Sequence, residues 1–83
     1  MHLDIITPDQ RIFQGEATSV TFPGLDGSFE VLNHHAPLIG VLQAGPIVVR
    51  PAGGGAPTTF RVDGGVVEVL NNNVVVLAEA LLA

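Results

Sequence analysis

His34 and His35 are the only adjacent histidines in the chain, and imidazole is the side chain that most often ligates a metal or moves a proton near neutral pH. Neighbours on an extended chain point to opposite faces, so the two could not close on one ion without further ligands. Those would have to be carboxylates or His2, the one other histidine. We therefore expect no metal site: one histidine packs at a bend and the other faces solvent or a partner. Ser19 and Ser28 have no base placed beside them, so neither reads as a nucleophile. Glu30 and Glu68 fall at outward positions of alternating segments, where charge is usually solvated, and not as an acid–base pair. Gly53, Gly54 and Gly55 are followed by no helix and no Lys-Ser/Thr, so they do not cradle phosphate. The expectation is a chain without catalytic residues and without a cofactor.

Composition narrows the classes further. Eighty-three residues make one domain, taken as 1–83, and a chain this short buries only about 60–65% of its unfolded surface. With 47% hydrophobic residues it holds more apolar side chains than such a core needs. Either a Val-rich sheet is buried on both faces or some apolar residues lie on a partner-binding surface. Charges and glycines interrupt every apolar run well before the ~18 residues that a membrane helix requires. The net charge of −5, with three arginines and no lysine, argues against nucleic acid. The missing lysine also excludes a lipoyl or biotinyl carrier. Without cysteine there is no disulfide, thiolate site or cysteine nucleophile. Met1-His2-Leu3-Asp4 has no basic region or Arg/Ser-rich stretch, so an intracellular chain, or the mature form of an imported one, is expected.

The elements that must carry these residues read as short strands. Leu3 to Thr7 is closed by Pro8, which fixes φ and lacks a donor. Arg11-Ile12-Phe13 is a short strand ending at Gly15, and a separate strand runs from Glu16 to Phe22. In that strand Val20 and Phe22 face inward, and Ser19 and Thr21 outward. Leu25-Asp26-Gly27 is the strongest turn signal, because glycine accepts positive φ at no steric cost. Residues 28–32 return. Asn33 to Pro37 is a bend, and 38–42, 47–50, 58–63, 66–70 and 74–78 are further strands. Asn71 to Asn73 suits a hairpin, since Asn tolerates the left-handed region. Ala78 to Ala83 has helix propensity but is too short to hold a helix alone. Strands every eight to ten residues, with no 3.6 period, argue for an antiparallel β-sandwich or barrel. Phe13, Phe22, Phe29 and Phe60 are the expected core anchors.

A set of motifs adds a family resemblance. Leu3-Asp4-Ile5-Ile6-Thr7-Pro8, Ile12-Phe13-x-Gly15 and Pro23-Gly24-x-Asp26-Gly27-x-Phe29-Glu30-Val31-Leu32-x-x-His35-Ala36-Pro37-Leu38 occur in order, followed by Gly45. Phe60-x-Val62-x-Gly64-Gly65-x-x-Glu68-Val69 and Asn73-Val74-x-Val76-Leu77-Ala78 complete the series. Together they resemble the N-terminal domain of the epsilon subunit of F-type rotary ATP synthases, the delta subunit in mitochondria. The resemblance implies a ten-stranded β-sandwich, a non-catalytic rotor subunit of the central stalk that couples the ring of c subunits to the gamma subunit. It implies a gamma contact at Thr7, His35, Ala36, Pro37 and Leu38, and a ring contact at Pro23, Gly24, Leu25, Asp26, Gly27, Ser28 and Glu30. Ser28 stands where some relatives carry an acid. The ring-facing turn should be the less apolar of the two surfaces, because it meets hydrophilic loops. The implied location is peripheral, on the cytoplasmic face of the bacterial inner membrane, or the stromal side of the thylakoid in a plastid.

Family members usually continue into a C-terminal helical hairpin that restrains ATP hydrolysis and in some binds ATP. This chain stops at Ala78-Glu79-Ala80-Leu81-Leu82-Ala83, so neither ATP binding nor inhibition by an extended arm is expected of it. The alternative to the stalk reading is an independent sandwich that binds a small ligand or peptide, which needs a concave apolar pocket with a few convergent polar groups. A small hydrolase or metalloenzyme would need His34, His35 and a carboxylate to converge.

Overall fold

A computed structural model describes residues 1–82. The alternation seen in the sequence becomes eight strands, and no helix forms among the described residues. They are β1 (His2–Ile6), β2 (Arg11–Gly24), β3 (Gly27–Leu32), β4 (Leu38–Leu42), β5 (Gly45–Pro51), β6 (Thr58–Val62), β7 (Gly65–Leu70) and β8 (Asn73–Ala78).

Two expectations are corrected here. The first is the break at Gly15. β2 runs 14 residues without interruption, because Gly15 stays inside the ladder opposite Leu3. Its missing side chain makes room for a neighbour: a Cβ there would lie 3.3 Å from the Phe13 ring. Merging two expected strands leaves eight among the described residues, where the resemblance implied ten. Past β8 the chain makes only an isolated bridge between Val62 and Leu81. Of the 78–83 stretch given helix propensity, Ala83 lies outside the described residues. The second correction is direction. β1 pairs with β8 in parallel, while the other ladders are antiparallel.

The long β2 explains how one ladder becomes two layers. Its first half pairs with β1, and its second half lies between β3 and β5. A bulge between Ala17 and Ser19 resets the phase at the crossing. Before it Phe13 and Ala17 turn inward with the β1 layer; after it Val20 and Phe22 do. One layer is then β1, β8, β7 and β4, and the other is β3, β2, β5 and β6. Leu3, Ile5, Val67, Val69, Val74 and Val76 meet Val20, Phe22, Val31, Ile47, Val49 and Val62 between them, each at most 2% exposed. Of the four phenylalanines only Phe22 is fully buried; Phe13, Phe29 and Phe60 pack half-buried at the margins of the core. Phe22 and Phe29 are paired rings with centroids 5.5 Å apart, as are Phe13 and Phe60 at 5.7 Å. Ser19 keeps its outward phase but is buried all the same, flanked by Leu32 of β3 and Arg50 of β5.

The turn chemistry follows the sequence reading. Asn71 and Asn72 take φ of 50° and 62°, joining β7 to β8 in the left-handed region that asparagine tolerates. Asn72 also accepts a hydrogen bond from the His34 backbone N–H at 2.8 Å, so it ties the bend after β3 to this turn. Asn72→Ala should lower stability by about 1 kcal/mol, through lost left-handed tolerance and one lost hydrogen bond. Urea denaturation checks this; an unchanged midpoint would show that the bond contributes nothing.

The other end of the chain is held as firmly. Met1 is 5% exposed and belongs to the core. Its ammonium group donates to the Ala17 carbonyl at 2.9 Å and to Asn33 Oδ1. A peptide bond at this nitrogen leaves one N–H where two bonds are made. A residue added before Met1 should therefore cost about 1 kcal/mol. Comparing the melting temperatures of tagged and tag-cleaved protein tests it, with equal values as the contrary result.

Candidate partner-docking face

The outward residues of β1, β8, β7 and β4 fall into register across the layer. Val41 stands opposite Val66, Val66 opposite Leu77, and Leu77 beside Ile6. The next row is Ile39, Glu68, Val75 and Asp4. The third holds Leu70, Asn73 and His2. Cross-strand partners share a face, so these rows form one surface. It is largely apolar and uncovered: Ile39 is 73% exposed, Val41 and Leu77 are 56%, and Val66 is 41%. Water covers these side chains here, although strands this apolar are usually covered on both faces.

The rim of the face is polar. Along its β1 edge Asp4 lies 3.4 Å from Arg11 Nε and 3.3 Å from His2 Nε2, and His2 Nδ1 lies 2.9 Å from Glu16. At another corner His34, His35, Ala36, Pro37, Asn71 and Asn72 line an open groove.

The structure distributes the expected gamma-contact residues around this face. β4 runs parallel to β1 through the two intervening antiparallel ladders. Thr7, just past the end of β1, and Ala36-Pro37, just before β4, thus mark diagonally opposite corners. Thr7 is buried, with its hydroxyl exchanging hydrogen bonds with the backbone of Gln10. His35 is half-buried, its Nδ1 2.7 Å from the Ala36 carbonyl. Ala36 and Pro37 are exposed. Leu38 turns inward and packs on the core margin. The apolar residues between these corners (Ile6, Ile39, Val41, Val66, Val75, Leu77) were absent from the expected contact set. A signal for them existed in the unbroken apolar runs Val66-Val67 and Val74-Val75-Val76-Leu77.

The expected ring-contact residues also cluster, at the β2–β3 turn. Pro23 and Gly24 are buried, whereas Leu25, Asp26, Gly27, Ser28 and Glu30 are exposed. Gly27 takes φ of 128°, as the turn requires. Leu25 at the tip is 61% exposed, the one large apolar side chain among the exposed residues of this turn. Glu30 points sideways from β3 toward Arg50, 3.9 Å away.

β4 joins the two clusters. It begins at Leu38, and its far end is bonded to the turn. The Leu25 N–H donates to the Val41 carbonyl, and the Gln43 N–H to the Pro23 carbonyl, both at 2.9 Å. Gln43 Nε2 donates to the Gly24 carbonyl at 2.9 Å. A groove lined by Leu25, Asp26, Phe29, Ile39 and Val41 runs from the turn onto the apolar face.

Neither of the other chemistries finds a geometry. His34 and His35 do not meet a carboxylate, and no cluster of three potential ligands forms among the described residues. The space between the layers is filled by side chains, and the depressions are open surface grooves, which disfavours a small-ligand module. Among the described residues no helix is long and apolar enough to cross a membrane.

Fold and surface together define a β-sandwich domain with a filled interior and one uncovered apolar sheet face. The chain belongs to the family described as ATP synthase, Delta/Epsilon chain, beta-sandwich domain, whose model matches residues 1–83. It is 42% identical over 86 residues to the ATP synthase epsilon chain of Salinibacter ruber, covering 95% of this chain and 58% of that one. It is 40% identical over 77 residues to the epsilon chain of Chlorobium limicola, covering 93% of this chain and 86% of that one. Among solved structures, a chain of the Tetrahymena thermophila mitochondrial ATP synthase central stalk and c-ring superposes with a TM-score of 0.83 at 23% identity. That match covers 99% of this chain and 65% of the other. A chain of the Euglena gracilis mitochondrial ATP synthase superposes with a TM-score of 0.88 at 22% identity, covering 96% and 51%. Both carry the same fold.

Proposed function

We propose that this chain is a non-catalytic rotor subunit of a proton-translocating ATP synthase, linking the c-subunit ring to the gamma subunit. The observation that carries this reading is the connection through β4. One strand starts at the corner formed by His35, Ala36, Pro37 and Leu38 and ends bonded to the turn at Pro23 to Ser28. Gamma covers the apolar face between Thr7 and Pro37, and the ring meets the β2–β3 turn, with Glu30 beside it. Epsilon-chain relatives that are enzyme-complex components support it, as does the filled interior. The domain works peripherally, at the cytoplasmic side of the membrane, and binds no ATP.

The test is a pull-down of this chain with purified gamma subunit, and separately with purified ring, while the ATPase rate of the reconstituted core is followed. Binding to both, with little change in ATPase rate, is the expected result. Failure to bind either partner overturns the reading. Tight ATP binding in a calorimetric titration would overturn the absence of an ATP site.

A further inference from the structure

Resting on the stalk reading, we infer that Glu68 selects the covering partner by charge: the surface that docks on this face presents a cation, an arginine or lysine, opposite the Glu68 carboxylate. Glu68 occupies the middle of the apolar face. Ile39 and Val75 flank it across the strands, and Val66 and Leu70 lie two residues either way along β7. One open depression borders it with Pro37, Ile39 and Leu70, and another with Ile39, Val66, Val75 and Leu77.

No cation lies within ion-pair distance of Glu68 among the described residues, whereas Asp4, in the same row, is paired with Arg11 and His2. The free domain tolerates this because Glu68 is exposed to water. Docking removes the water. A carboxylate covered without a partner offsets much of what the surrounding apolar contacts return, so a surface lacking a donor at this spot is disfavoured. A surface with a cation there is accepted and fixed in register. The carboxylate contributes discrimination, and the apolar rows contribute affinity.

The experiment is calorimetric titration of the full chain, wild-type and variant, with purified gamma subunit at low and high ionic strength. Glu68→Gln keeps the shape and loses the charge. It should weaken binding about ten-fold and flatten the salt dependence, since a charge-assisted hydrogen bond becomes a neutral one. Glu68→Arg sets like charges together and should weaken binding more than a hundred-fold. Both variants should melt with the wild type, because the side chain is exposed. Unchanged or tighter binding by Glu68→Gln, or an unchanged salt slope, overturns the pairing while leaving the stalk reading standing. No binding by the wild-type chain overturns both.

Discussion

Leu77→Asp is expected to weaken gamma binding about 150-fold or more while leaving the melting temperature within a degree or two of wild type. Leu77 stands in the upper row of the face between Val66 and Ile6, and it is 56% exposed. In the free domain a carboxylate there is hydrated, so folding loses little. In the complex it would lie beneath an apolar partner with no cation aligned to it. Covering an unpaired charge costs about 3 kcal/mol or more, and 3 kcal/mol corresponds to a loss of about 150-fold. Val41→Asp, in the same row and away from Glu68, should behave alike. Leu38→Asp separates the two effects, because Leu38 packs on the core margin and its substitution should lower stability as well as binding. Titration of the variants against gamma, with thermal denaturation in parallel, decides the matter. Gamma affinity undiminished in Leu77→Asp would remove the apolar face from the interface.

Gly24→Ala should be the most damaging single substitution at the other surface, with a loss of about 3 kcal/mol of stability. A Cβ at position 24 would fall 2.4 Å from the Gly27 carbonyl oxygen and 2.8 Å from the Phe29 ring. Neither obstacle yields easily. The carbonyl belongs to the tight turn that Gly24 itself opens, and Phe29 is wedged against Phe22. Gly24 is also held by Leu42 across the strands and by the Gln43 side chain, so the backbone has no slack to retreat. Overpacking of a well-filled site costs about 1–3 kcal/mol, and the backbone clash places this case at the upper end. For a domain whose whole stability is about 5–10 kcal/mol that is a large share. Gly53→Ala is the control, since a Cβ there meets nothing within 4 Å. Urea midpoints should fall steeply for the first variant and hardly move for the second; equal midpoints would refute the packing argument.

Much of this fold could be read in the chain because alternation is a direct image of a two-faced strand. Val20 and Phe22, Phe29 and Val31, and the Asn71-Asn72 turn all lie where their spacing put them. Other features were hidden for physical reasons. Gly15 looks like a stop, but whether a glycine ends a strand depends on the partner across from it, here Leu3. The bulge beside Thr18 leaves no mark in composition, yet it sends β2 from one layer to the other and buries Ser19. The bare apolar face was the largest gap. Val66-Val67 and Val74 to Leu77 are equally apolar on both phases, which is what a strand covered on both sides looks like. Local sequence cannot tell a cover supplied by the same chain from one supplied by another. Only the fold, by filling one side of this sheet and leaving the other bare, makes that distinction.

The bonds between β4 and the β2–β3 turn also set how the domain bears load. Hydrogen bonds between antiparallel strands lie across the strand direction. A tug on the turn along β4 therefore strains the Leu25–Val41 and Gln43–Pro23 links together, in shear. The Gln43 side-chain link to Gly24 shares the same load. Links loaded side by side must fail at once, while links loaded end to end unzip singly. The domain is thus stiff against a drag on its turn along β4 and weaker against a pull that peels β3 away from β2, its sole neighbour in the ladder. On the proposed rotor reading, a turn gripped by the ring would load the domain in the first of these ways.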